Sequence, residues 1–73
     1  MNYFDVYKDI WDFHKNFQMV KTTDEYWESV VNESDRIAKK YNECKFVRAL
    51  LLAVIEELER IHKEIIKDAD TTI

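Results

Sequence analysis

The residues with the clearest capacity for chemistry are a carboxylate and an imidazole near the C-terminus. Glu59 and His62 form a Glu-x-x-His step, the spacing that places both groups on one helical face in dimetal carboxylate proteins. One chain supplies only one such pair, so a complete metal site needs a second copy. We expect His62 to pack at the edge of an apolar face and Glu59 to be solvated. A metal site assembled in a dimer from Glu59 and His62 is the alternative.

The other histidine and the single cysteine are predicted to be structural. His14 falls among the apolar positions of the first segment, where a buried imidazole needs a hydrogen-bond partner or stays neutral. Cys44 is the only cysteine, so it forms neither an intrachain disulfide nor a cysteine-rich zinc site. The sequence places no histidine or acid to activate it. We therefore predict no catalytic residues, no bound cofactor and no enzymatic activity.

A cluster of basic residues surrounds the second predicted turn, consisting of Arg36, Lys39, Lys40, Lys45 and Arg48. The helix dipole favours cations at the end of a helix, which accounts for the lysines at 39 and 40. Lys45 and Arg48 open a helix, where anions are preferred, so the dipole does not account for them. The cluster is a candidate contact for an anion or a nucleic acid. The net charge of −4 argues against nucleic acid as the partner.

Long helices are predicted to position all these residues. The chain contains no glycine and no proline, which disfavours tight hairpins and glycine-rich phosphate loops. Apolar residues recur at three- and four-residue steps and predict helices at 3–18, 23–41 and 44–67, followed by a frayed tail at 69–73. The expected fold is a single all-α domain spanning residues 1–73, an antiparallel three-helix bundle with a long third helix.

Two signals mark the ends of the second helix. Thr22 and Glu25 match a capping box at its start. Asn42 is the expected stop, because asparagine tolerates the left-handed backbone conformation. In the first helix, the aromatic residues are predicted to dominate the buried contact. Asp5, Asp9 and Asp12 are predicted to lie on the opposite, solvent-facing side.

The third helix is wider in its apolar surface than a two-helix contact requires. Its apolar positions cover roughly 200° of arc, and the other helices leave part of that arc uncovered. The predicted interaction surface consists of Leu52, Ile55, Ile61, Ile65 and Ile66. A domain of 73 residues buries only about 60% of its unfolded surface. We therefore expect a homo-oligomer, most simply a dimer, or a complex with another protein.

No membrane partner is expected. The apolar runs are shorter than the roughly 18 to 20 residues that cross a bilayer, and residues 1–10 have neither the basic nor the long apolar part of a signal peptide. We expect a cytoplasmic protein.

Three segments resemble small helical proteins of bacterial prophages and mobile elements. They are YKDIWDFHK, DEYWESVVNES and KFVRALLLAVIEELER, at residues 7–15, 24–34 and 45–60. The resemblance implies a cytoplasmic accessory protein and carries no catalytic residues. The surplus apolar surface and the lack of a convergent polar site lead us to expect a non-enzymatic module for protein interaction or oligomerisation.

Overall fold

The computed structural model describes the backbone of residues 1–71 and the side chains of residues 1–67. Along that part of the chain three α-helices form, α1 (Tyr3–Phe17), α2 (Asp24–Lys40) and α3 (Lys45–Thr71). Each helix contacts the other two, and the molecule measures 50 × 19 × 18 Å. The predicted all-α three-helix bundle is therefore confirmed.

Contacts between the helices show their directions. The end of α1 meets the start of α2, where the Tyr26 hydroxyl donates to the Phe17 carbonyl. The middle of α1 meets the end of α2, where Lys40 reaches Asp9. The start of α1 meets the start of α3, since Tyr3 packs on Phe46. Helix α2 thus runs antiparallel to the other two, and α1 and α3 run parallel.

The start of α2 differs from the prediction by one residue. Thr23, not Thr22, is the N-cap: its backbone is extended and its hydroxyl accepts a hydrogen bond from the Tyr26 N–H at 3.3 Å. Thr22 and Glu25 therefore do not form the predicted capping box. The N-cap is the last residue with a non-helical backbone before the helix. Here the helix begins at Asp24, so Thr23 is the cap. Asn2 caps α1 in the same way, accepting from the Asp5 N–H at 3.3 Å.

The turn between α2 and α3 confirms Asn42 as the helix stop. Asn42 has φ 56°, and Glu43 follows with φ 54°. The Glu43 N–H donates to the Ala38 carbonyl at 2.7 Å and the Asn42 N–H to the Lys39 carbonyl at 3.1 Å. These two bonds form a Schellman motif, which satisfies carbonyls that the helix end leaves unpaired. Two consecutive left-handed residues accomplish this without a glycine.

Helix α3 extends beyond its predicted end at Lys67, through Ala69 and on to Thr71. No glycine or proline follows Lys67, so no residue in this stretch breaks the backbone hydrogen-bond ladder. Thr72 and Ile73, which belong to the predicted frayed tail, lie outside the described residues. No helix among the described residues has the length and apolar character needed to cross a bilayer.

The core draws on all three helices and is mostly aliphatic. Its buried members are Val6, Ile10, Phe13, Tyr26, Val30, Ile37, Val47, Leu51, Val54 and Leu58. Within each helix these residues follow the three- and four-residue spacing of a single narrow stripe. The remaining apolar residues lie partly or largely outside this stripe and form exposed surfaces on α1 and α3.

Candidate interaction surfaces

Four aromatic side chains of α1 form an exposed aromatic face. Tyr3, Phe4, Tyr7 and Trp11 are between 55% and 74% exposed. Their spacing confines them to about 100° of the helix circumference. Apolar residues exposed singly are ordinary, but a cluster of large ones on one face is typical of an interaction site.

The prediction that the aromatic residues of α1 dominate its buried contact is wrong for most of them. The apolar arc of α1 contains two adjacent stripes. Val6, Ile10 and Phe13 occupy the stripe that packs between α2 and α3. The aromatic face is rotated by about 100° from that stripe. The two neighbours of α1 cover only a small part of this second stripe, where Phe46 of α3 contacts Tyr3 and Tyr7, so most of the aromatic face stays open.

Neighbouring side chains hold the aromatic face in place. The rings of Tyr3 and Tyr7 meet the ring of Phe46 edge-on, with centroids 5.4 and 5.9 Å apart. The Trp11 ring lies 6.5 Å from that of His14. His14 is only half-buried and contacts this face at Trp11, so it is not the core histidine we expected. Fixed aromatic rings lose little conformational entropy when a partner covers them.

Lysines border the open side of the aromatic face. Lys8 and Lys15 follow Phe4 and Trp11 by one helical turn and so lie beside them. Both lysines are exposed. A partner covering the aromatic rings therefore meets positive charge along one edge.

The predicted interaction surface of α3 is divided into two parts. Leu52 is 55% exposed and Ile55 is half-buried, both near the first half of α3. Ile61 is half-buried, and Ile65 and Ile66 are exposed near the far end. Leu52 and Ile65 are about 20 Å apart along the helix axis. The five residues therefore do not form one continuous patch.

A groove of about 710 Å³ runs between α2 and α3 beside Leu52. Its apolar lining comes from Ala38, Ala49, Leu51, Leu52 and Ile55, and its polar lining from Ser34, Asp35, Glu43, Lys45 and Arg48. Small residues on both helices leave the space open. The groove contains two cations and two anions, so its charges are balanced.

The predicted basic patch is not a single basic surface. Arg36 binds Glu33 in an ion pair, and Lys40 binds Asp9 with an Nζ–Oδ2 distance of 2.8 Å. Lys45 and Arg48 share their groove with Asp35 and Glu43. Carboxylates thus offset most of the positive charge that the linear sequence concentrates here.

Asp9 was predicted to lie on the solvent-facing side of α1, but in the structure its carboxylate contacts α2 and the residue that follows it. Its Oδ2 accepts from Lys40 Nζ at 2.8 Å and from the Tyr41 hydroxyl at 2.5 Å. Both hydrogen bonds lower the pKa of Asp9, and the one from Lys40 has the larger effect. The hydrogen bond to Asp9 raises the pKa of Tyr41. Asp9 thus ties α1 to the end of α2.

Asp9→Asn is expected to lower the free energy of unfolding at neutral pH and to lower it less in acid. Because the pKa of Asp9 is lower in the folded state, its contribution is complete above the unfolded value of roughly 3.9. The contribution is lost as the pH falls through the folded value. Urea unfolding of both proteins at neutral pH and near pH 2 measures this. The midpoints should differ at neutral pH and converge in acid; an equal gap at both pH values would contradict the role of the Asp9 charge.

Glu59 and His62 do not converge on a common site. The His62 ring is half-buried and packs edge-on against Trp27, with centroids 5.2 Å apart. The Glu59 side chain is exposed. Among the described residues, no three His, Cys, Asp or Glu side chains are grouped closely enough to hold a metal ion. Cys44 is half-buried directly before α3.

Comparison of this chain with models of protein families, with curated proteins and with solved structures finds no match.

Proposed function

We propose that this chain is a non-enzymatic helical module that binds either a different protein or further copies of itself. Its recognition surface is the aromatic face of α1. The observation that carries this proposal is the exposure of Tyr3, Phe4, Tyr7 and Trp11 on one face. Large aromatic residues supply most of the binding energy at many protein interfaces.

The borders of the face indicate the chemistry of its partner. Lys8 and Lys15 line its open edge, and the apolar stripe is the length of a few helical turns. An amphipathic helix with acidic residues along one edge complements both features.

We also propose that the module acts in the cytoplasm. Its single, half-buried cysteine supports this, because small secreted domains commonly depend on several disulfides.

Selection of peptides from an unbiased library of amphipathic helices tests the recognition surface. The wild-type chain is the bait, and fluorescence anisotropy measures the affinity of the selected peptides. We expect Trp11→Ala to weaken binding at least about tenfold, because an aromatic anchor at the centre of an interface contributes more than 1.4 kcal/mol. Enrichment of Glu and Asp along one edge of the selected helices is also expected, together with weaker binding by Lys8→Glu.

Val31→Ala is the matched control. Val31 is exposed on α2, away from the aromatic face, so its replacement should leave the affinity unchanged. Equal affinities of wild type and Trp11→Ala for every selected peptide would refute the proposal that this face is the recognition surface.

A further inference from the structure

We propose that α3 pairs with α3 of a second copy of this chain, in an antiparallel contact that is two-fold symmetric about Leu52. The contact does not use the aromatic face, so it goes beyond the proposed recognition function and is tested separately.

The outward side of α3 has the same spacing in both directions from Leu52. Arg48 and Glu56 lie four residues before and after it, and Lys45 and Glu59 lie seven residues before and after it. Steps of three and four residues keep all five side chains on one helical face. Within seven residues of Leu52 the cations lie before it and the anions lie after it, at matching distances. Lys63 continues this face eleven residues after Leu52, where the matching position before it, Tyr41, precedes α3.

An antiparallel second copy converts this pattern into charge complementarity. Arg48 then faces Glu56 of the other copy, Lys45 faces Glu59, and each contact occurs twice. Leu52 meets its own counterpart at the centre. A parallel arrangement would instead set each charge against itself, which is repulsive. The charge pattern therefore selects both the second copy and its direction.

The shapes beside Leu52 also fit this arrangement. Ala49 and Ile55 lie at equal distances on either side of Leu52, so the small side chain of one copy faces the large side chain of the other. Both residues line the groove between α2 and α3. Small residues opposite large ones allow two helices to interdigitate.

Within one chain, Lys45 and Arg48 share a groove with Asp35 and Glu43, but the structure shows no ion pair for the four charged residues on either side of Leu52. The ion pairs among the described residues do not include Lys45, Arg48, Glu56 or Glu59. Arg48 and Glu56 are separated by about 12 Å along the helix, too far for direct contact. The dimer thus gives Lys45 and Arg48 a role at a helix start, where the dipole disfavours them.

Exposed ion pairs add little affinity, so Leu52 and its apolar neighbours supply the attraction and the charges set the direction.

Charge reversal tests the register of the contact. Arg48→Glu and Glu56→Arg each place like charges together in a homodimer, so each variant alone should dissociate at least about tenfold more readily than wild type. An equimolar mixture of the two should form a mixed dimer, because both contacts then regain opposite charges. The double variant should dimerise with itself. Sedimentation equilibrium at low ionic strength measures association, and native mass spectrometry reports the composition of the mixture.

A wild-type chain that stays monomeric at high micromolar concentration overturns the proposal. Single variants that associate like wild type, or a mixture that fails to recover the dimer, overturn the register. The pair Lys45→Glu and Glu59→Lys repeats the test should either of the first variants lose its helical circular dichroism. Peptide binding at the aromatic face is measured on the same variants and should not change, which separates failure of the dimer from failure of the recognition function.

Discussion

Phe13→Ala is expected to lower the free energy of unfolding by about 3–5 kcal/mol. Phe13 is 1% exposed and is the largest of the fully buried side chains. Its ring packs against that of Phe17, with centroids 5.4 Å apart. Truncation removes buried apolar surface and leaves a cavity among rigidly packed neighbours. A chain of 73 residues has a total stability of about 4–11 kcal/mol, so the loss is a large part of the whole.

Phe4→Ala is the matched control in the same helix. Phe4 is 74% exposed, and its replacement should change the free energy of unfolding by no more than about 0.5 kcal/mol. Urea unfolding followed by circular dichroism compares the two variants with wild type. Similar losses for Phe4 and Phe13 would show that the aromatic face and the core have been assigned incorrectly.

Tyr26→Phe is expected to cost about 1–2 kcal/mol, although it removes a single oxygen atom. The Tyr26 hydroxyl donates to the carbonyl of Phe17, the last residue of α1, at 2.6 Å. Carbonyls at a helix end lack a partner within the helix. The phenylalanine variant keeps the apolar contact but leaves this carbonyl without its donor. Tyr7→Phe is the control, because the Tyr7 side chain is exposed.

Alkaline pH gives an independent measure of the Tyr26 contact. Burial raises the pKa of Tyr26 above its ordinary value. Its contribution is therefore complete below about pH 10 and is lost as the pH rises through the folded value. The difference in unfolding midpoint between wild type and Tyr26→Phe should shrink above pH 10. A constant difference across this range would contradict burial of the hydroxyl in the folded state.

Apolar periodicity was sufficient to predict the helical class, the number of helices and most of their bounds. The periodic signal is strong here because no glycine or proline interrupts it. Helix ends were harder to locate, as the cap at Thr23 in place of Thr22 shows. The capping-box spacing to Glu25 favours Thr22 in the sequence, whereas in the structure the last extended residue before the helix is Thr23.

The sequence could not reveal which half of a wide apolar arc would be covered. On α1, the stripe containing Val6 is buried and the stripe containing Trp11 is open, although both follow helical spacing. Coverage depends on where the other two helices lie, which is a tertiary property. The contacts of Asp9 were missed for the same reason, because Lys40 and Tyr41 are distant in sequence. The apolar residues of α1 cover more of the helix circumference than Val6, Ile10 and Phe13 occupy, and this surplus is the sequence feature that indicates an open face.

The short connections between the helices have a consequence for folding speed. Residues 18–23 and 41–44 are all that separates one helix from the next, so closing either loop costs little chain entropy. Helical bundles dominated by such local contacts fold in microseconds to milliseconds. Opening and reclosing are then fast compared with cleavage by a protease, and degradation follows the equilibrium population of the open chain. A partner that binds only the folded form lowers the population of the open chain and therefore slows degradation.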